Sequence, residues 1–283
     1  MDRAAPDKLA TQMTATDRPV RHVLGISGGK DSAALALFMR DRVPQMEYFF
    51  CDTGYELAET YEYLEKLEAF LGKPIVRLNP ERDFDHWLDI YGGYLPSSRM
   101  RWCTRMLKLK PFENYVGDDT TLTYIAIRAD EDRDGYISTK PNITPVYPFK
   151  EHGVAKDDVF RILDDYGLGL PSYYSWRTRS GCYFCFFQRK SEWVGLKEKH
   201  PDLFELAKGY EKIDEEKGIR YTWSQSESLT ELEQPARVAD IKRKQEESLL
   251  HARKRAPSEK LFQIFSDALD EEDDTEPCMI CNL

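Results

Sequence analysis

Residues 20–40 read Val20-Arg-His-Val-Leu-Gly-Ile26-Ser27-Gly28-Gly29-Lys30-Asp31-Ser32-Ala-Ala-Leu-Ala-Leu-Phe-Met-Arg40, and this stretch decides the fold. Residues 20–26 form a short apolar run that predicts a buried strand. Ala33, Leu37 and Phe38 recur at helical spacing and predict a helix from Ser32 to Arg40. Between them lies a turn with two glycines. Glycine lets successive backbone N–H groups converge without a Cβ clash, which makes an anion-binding nest at the start of a helix. The hydroxyls of Ser27 and Ser32 can donate to phosphate oxygens. Lys30 adds a cation, and Asp31 suits a Mg²⁺ ion that bridges phosphates. A lone Gly-Gly turn capped by serines would be mere structure; six ordered positions between a strand and a helix point to phosphate binding. Lys30 is followed by Asp31 rather than Ser or Thr, so this is not a Walker A loop.

Outward from the loop, strands and helices alternate. Glu47–Cys51 predicts a second strand, Leu57–Leu71 a helix stopped by Gly72, Pro74–Leu78 a third strand, and Thr121–Ile127 a fourth after a basic helix that Pro111 interrupts or ends. This alternation implies an α/β fold with a doubly wound, mostly parallel sheet. Binding sites in such sheets lie beyond the carboxyl ends of the strands, where Ser27, Asp52 and Arg128 fall. After residue 190 the pattern becomes one of charged helices, Glu192–Glu198, Pro201–Lys217 and Gln234–Arg255. The expected organisation is an N-terminal arm (1–19), a nucleotide-binding domain with a cysteine site (20–190), a helical extension (191–262) and an acidic tail (263–283).

The net charge of −10 argues against a surface wrapped in nucleic acid, but not against a local basic groove. Arg99–Lys110 holds Arg99, Arg101, Arg105, Lys108 and Lys110 with no acid, and Arg177–Lys190 holds Arg177, Arg179, Arg189 and Lys190 with no acid. Both runs surround cysteines, which favours an anion site over scattered solvated charge. The N-terminus lacks the apolar core of a signal peptide, and no stretch is long and apolar enough for a membrane span, so a cytoplasmic location with no membrane partner is expected.

Six cysteines in such a chain suggest metal, redox or sulfur chemistry rather than disulfides. Cys182-Tyr-Phe-Cys185 can present two thiolates to one metal centre, and Cys103 can supply a third. Three thiolates would leave one iron of a cluster open; a zinc staple holding the C-terminal helices is the structural alternative. Cys51 reads as a buried small hydrophobe. Cys278 and Cys281 are either an uninvolved tail or a nucleophile and its resolver.

The Ser27–Ser32 loop resembles the SGGxDS motif of the PP-loop ATP pyrophosphatases, which cleave ATP between the α and β phosphates. Phe50-Cys51-Asp52-Thr53-Gly54-Tyr55-Glu56, followed by Glu59-Thr60, is similar to the second-strand segment of that superfamily's phosphoadenosine phosphosulfate (PAPS) reductase branch. Arg128-Ala-Asp-Glu131 is similar to its phosphate-side arginine segment. The likeness covers roughly residues 20–190. It implies an adenine nucleotide alpha hydrolase-like fold. It also implies catalytic roles for Asp31, Lys30 and Arg128, and nucleotide contacts from Ser27, Gly28, Gly29, Lys30, Asp31, Ser32, Asp52, Thr53 and Gly54.

Two departures steer the choice of reaction. Reductases of adenosine phosphosulfate (APS) carry a Cys-Cys pair where this chain has Trp102-Cys103, and a Glu-Cys-Gly-x-His segment where it reads Glu276-Pro-Cys278-Met-Ile-Cys281. The pattern is closer to the ATP pyrophosphatase/sulfurtransferases of DNA phosphorothioation, which also resemble tRNA thiolases. That resemblance implies ATP, Mg²⁺ and a 4Fe–4S cluster on Cys103, Cys182 and Cys185, with zinc as the alternative. The implied partners are DNA (tRNA the other possibility), a cysteine desulfurase as sulfur donor, and further subunits of a modification complex. The alternatives are a PAPS or APS reductase, and an ATP-binding regulatory subunit. Pyrophosphate release separates sulfur insertion from reduction.

Overall fold

The computed structural model describes residues 19–132, 139–224 and 226–255. The N-terminal arm and the acidic tail, with Cys278 and Cys281, lie outside the described residues. Five strands, β1 (Arg21–Gly25), β2 (Glu47–Cys51), β3 (Ile75–Leu78), β4 (Thr121–Tyr124) and β5 (Ile143–Val146), form one sheet in the order β3-β2-β1-β4-β5, with every neighbouring pair parallel. The chain winds outward from β1 in one direction and then returns to β4 on its other side. The resulting switch point lies between β1 and β4, whose register sets Leu24 beside Tyr124.

Alternation along the strands builds the two faces. Leu24, Tyr48, Phe50, Ile75 and Tyr124 pack with helices α1 (Lys30–Met39) and α2 (Ala58–Leu71). Val23, Phe49, Cys51, Leu78 and Ile125 point the other way and pack with Phe112 and Val116. Short helices α3 (Phe84–Ile90) and α4 (Trp102–Thr104) follow β3. A π-helical turn (Arg105–Leu109) then leads into α5 (Lys110–Val116), so Pro111 lies within one continuous helical path and does not end it. The amide of Lys110 bonds the carbonyl of Arg105. This wider turn makes room where a proline ring would otherwise clash with the preceding turn.

β5 carries Pro145 and lies at the sheet edge, the position where a strand tolerates a residue with no N–H. After it come α6 (Pro148–Glu151) and α7 (Lys156–Asp165), the latter packed on α1. The C-terminal part holds α8 (Lys190–Lys199), α9 (Pro201–Gly209), a hairpin of β6 (Lys212–Asp214) and β7 (Ile219–Tyr221), then α10 (Leu229–Leu232) and α11 (Pro235–Arg255). The helix expected over Pro201–Lys217 therefore stops at Gly209. Its apolar contacts end with Phe204 and Ala207, and Gly218, at φ 64°, makes the return of a hairpin. These helices share an apolar cluster with Phe84, Trp102, Phe184 and Trp223. No helix among the described residues is long and apolar enough to cross a membrane.

Candidate functional site

The loop Ser27–Ser32 leaves β1 at the switch point and enters α1 through Gly29, whose lack of a side chain leaves the helix N-terminus uncapped. Gly28 has φ 79°, and a Cβ there would stand 2.5 Å from the Thr60 methyl on α2. Only glycine meets both demands. The hydroxyls of Ser27 and Ser32 are 3.1 Å apart, and the Ser180 hydroxyl donates to Ser27 Oγ at 3.1 Å. The Tyr173 hydroxyl donates to the Gly28 carbonyl at 2.8 Å, while the Lys30 amide donates to the Tyr174 hydroxyl at 3.2 Å. A turn at Ser172–Ser175 thus clamps the loop from outside. Nothing in the spacing of the sequence signalled this contact.

Asp31 is the hub of the charges. Its carboxylate meets Lys30 Nζ at 2.7 Å and Arg128 at 3.1 Å, and Arg128 also reaches Asp130 at 3.0 Å and Glu131 at 2.8 Å. Burial pushes the Asp31 pKa up, but the charges of Lys30 and Arg128 outweigh burial and hold it at about 2. Lys30, itself buried, is raised on balance because Asp31 opposes the cost of burial. The three catalytic candidates named from sequence therefore meet at one point. Helix N–H groups that no N-cap side chain covers, two hydroxyls and two cations fit a triphosphate, and an ionised carboxylate beside them fits its Mg²⁺.

Beyond β2, the Gly54 amide donates to Asp52 at 3.0 Å, and the Tyr61 hydroxyl donates to the same carboxylate at 2.7 Å. The Thr53 hydroxyl donates to the buried Glu56 carboxylate at 2.8 Å and lies 3.3 Å from Cys182 Sγ. Burial raises the Glu56 pKa, as does Asp52, against the pull of Lys108 and Thr53. Glu56 and Cys182 form a β-bridge, and the Tyr183 amide donates to the Tyr55 carbonyl. The C-x-x-C segment is stitched in this way to the end of β2.

Cys103, Cys182 and Cys185 line one cavity of about 40 Å³, together with Thr53, Lys108 and the aromatic rings of Phe84, Phe184, Phe186, Phe187 and Trp223. Burial pushes the Cys103 thiol up to about 12 and raises Cys182 as well. Lys108 remains charged: burial opposes this, but Cys182, Glu56, Cys51 and Cys185 outweigh it. Arg177 was expected to belong to a local basic groove, and the structure corrects this. It is 0% exposed, donating to the carbonyls of Gly181 and Cys182, with its Nε unpartnered. It shapes the cysteine loop from inside. Cys51 is the buried small hydrophobe expected, with its thiol on the Lys108 carbonyl.

Three thiols and the Lys108 ammonium around one apolar cavity, with the Arg177 guanidinium behind the cysteine loop, suit an anionic occupant such as a thiolate-ligated cluster. Among the described residues, no group of three or more His, Cys, Asp or Glu side chains is gathered to hold a single metal ion. Ser180 touches Ser27, and Cys182, two residues on, touches Thr53. Two residues of chain span at most about 7 Å, so the phosphate loop and the thiols are near neighbours.

Residues 21–140 match the family model described as the phosphoadenosine phosphosulfate reductase domain, which supports the PAPS-reductase-like PP-loop superfamily for this segment. Two uncharacterised proteins of Methanocaldococcus jannaschii are each 26% identical to this chain, one over 238 residues and the other over 197. The matches cover 77% and 65% of this chain but only 55% and 40% of those relatives, so the chain spans about half their length. An uncharacterised nin region protein of Escherichia phage lambda is 26% identical over 62% of this chain and 68% of its own. Among solved structures, a PAPS reductase of Candida auris in complex with phosphate aligns over 59% of this chain and 82% of its own, at 14% identity and a TM-score of 0.45.

Proposed function

We propose that this protein is an ATP pyrophosphatase that activates an oxygen of a nucleic acid, a DNA phosphate first of all, for replacement by sulfur. The observation that carries the reading is the short segment Ser180–Cys182, which touches the phosphate loop at one end and lines the thiol cavity at the other. ATP binds with its phosphates on the uncapped start of α1 and the hydroxyls of Ser27 and Ser32. The substrate oxygen attacks the α-phosphorus, the α–β bridging bond breaks, and pyrophosphate leaves with its charge met by Lys30 and Arg128; Asp31 is the residue that would hold a Mg²⁺ ion, which would neutralise phosphate charge. Sulfide then attacks the DNA phosphorus, the bond from that phosphorus to the adenylated oxygen breaks, and the oxygen leaves as part of AMP. That sulfide comes from cysteine through a desulfurase and a dithiol reductant, in a complex with further modification subunits. Cys103, Cys182 and Cys185 are the residues that would hold a 4Fe–4S cluster, which would supply a site for sulfur, and the rings around them would keep water away.

The matched family favours a second reading, reduction of a sulfonucleotide to sulfite, in which no ATP is consumed. Anaerobically purified protein incubated with Mg-ATP, DNA and sulfide separates the two. The proposal expects AMP and pyrophosphate, with iron and sulfide in the protein. ADP and phosphate as products, or sulfite from PAPS with no use of ATP, would overturn it. Stoichiometric zinc without iron would overturn the cluster assignment.

A further inference from the structure

The two basic runs of the sequence converge on one ring. Arg101 lies 5.1 Å and Arg179 lies 5.6 Å from the centroid of Phe187, which lines the thiol cavity. Neither guanidinium pairs with a carboxylate among the described residues, and neither does exposed Arg99. Two like charges against one ring, neither paired with a carboxylate among the described residues, form a ready seat for a phosphate. Beside them α3 ends, and a turn through Gly92 and Gly93 displays Tyr91 and Tyr94, which are 36% and 38% exposed. Tyr91 stacks on Trp102 at 5.2 Å and 11°, and Trp102 donates its indole N–H to the Tyr94 carbonyl. The column continues through Phe84, 4.9 Å from Trp102 and 4.5 Å from Phe184, into the cavity wall.

An exposed aromatic pair alone would suit a protein partner as well. Unpaired arginines at its edge select a polyanion that also offers flat apolar faces. We infer that Tyr91 and Tyr94, with Arg99, Arg101, Arg179 and Phe187, form the landing surface for an unpaired DNA strand. Its bases stack on the tyrosines, and a phosphate sits between the two arginines at the mouth of the thiol cavity. This rests on the reading of the enzyme as acting on DNA and goes further, because it demands strand separation. A duplex hides its base faces, so only an unpaired strand gains from stacking.

The test uses fluorescence anisotropy with a labelled single strand of about 16 nucleotides, its duplex and the same sequence as RNA. The full-length wild type should bind the DNA strand at least roughly tenfold more tightly than either competitor. Tyr91→Ala with Tyr94→Ala should weaken binding about 10- to 100-fold, and the paired Phe substitutions should restore it. Arg101→Ala with Arg179→Ala should lower the slope of log affinity against log salt by about 0.7, the loss of one phosphate contact. Equal or tighter binding of duplex or RNA, unchanged binding by the paired alanine variant, or an unchanged salt slope would overturn the inference. Pyrophosphate release is read separately. Its absence in the wild type counts against the proposed reaction, and its presence without strand preference counts against this surface alone.

Discussion

Lys30 and Arg128 each touch the Asp31 carboxylate, at 2.7 and 3.1 Å. Arg177, fully buried, touches only the carbonyls of Gly181 and Cys182. These two cation sites lie on either side of the short Ser180–Cys182 link, and they are built in opposite ways. In the loop, charges are balanced within the protein and the groups that would meet phosphate already hold one another in place. At the cavity, the Lys108 ammonium lies near the buried Glu56 carboxylate and cysteine thiols that burial pushes up, while the Arg177 guanidinium behind the cysteine loop meets backbone carbonyls and no carboxylate among the described residues. A buried cation without an anion is costly, and one that persists is matched to an anionic occupant. The contrast fits a site that organises nucleotide in advance beside one completed by what it binds.

The largest effect should come from breaking the balanced side. Asp31→Asn keeps the shape of the side chain but removes the charge that holds Mg²⁺ and positions Lys30 and Arg128. Pyrophosphate release should fall at least about 100-fold. Truncation to alanine is a poorer probe, because Asp31 is an ion-pair hub and alanine also removes its packing. Normal ATP turnover by the Asn variant would remove Asp31 from the chemistry.

How much of this was legible in the sequence follows from how local each feature is. The strand–loop–helix at Ser27–Ser32 could be read because glycine geometry and helix dipoles act within a few residues. The parallel sheet could be read because alternation of strands and helices permits little else. Strand ends placed Ser27 and Arg128 on one side of the sheet, and the family resemblance implied that Asp31, Lys30 and Arg128 act together. The Tyr173–Tyr174 clamp, Ser180 on Ser27 and Glu56 on Cys182 are long-range contacts made by ordinary residue types, so no local pattern marks them. Arg177 misled for the same reason: composition reports a charge, and only packing reports which way it points. β5 was missed because Pro145 disguises it, and α7 follows a strand that had not been read.

A smaller effect compares the two buried arginines directly. Arg128→Met strips Asp31, Asp130 and Glu131 of a shared partner and should destabilise the protein by about 3 kcal/mol in denaturant unfolding. Arg177→Met loses two carbonyl hydrogen bonds but also removes an unpaired buried charge. In iron-free protein it should therefore cost about 1 kcal/mol. The cost should appear instead in loading, with severalfold less iron retained after anaerobic reconstitution. Equal destabilisation by both variants, with iron retention unchanged, would erase the distinction between the sites.

The smallest effect is one of pH, and its sign follows from Asp31. Its pKa in the folded protein, about 2, lies below the ordinary 3.8. The folded state therefore favours the ionised form. The stability this contributes is complete above pH 3.8 and drains away as pH falls toward 2. The side chain is 18% exposed, so solvent screens the pair, and we expect about 1 kcal/mol rather than the full value of the shift. Unfolding free energies of wild type and Asp31→Asn, measured between pH 5 and pH 2 with a chelator present, should converge as the pH falls. The wild type loses the ion pair on the way down, while the variant has none to lose. Parallel curves across that window would mean that Lys30 and Arg128 do not stabilise the Asp31 charge, and the loop would then be no better balanced than the cavity.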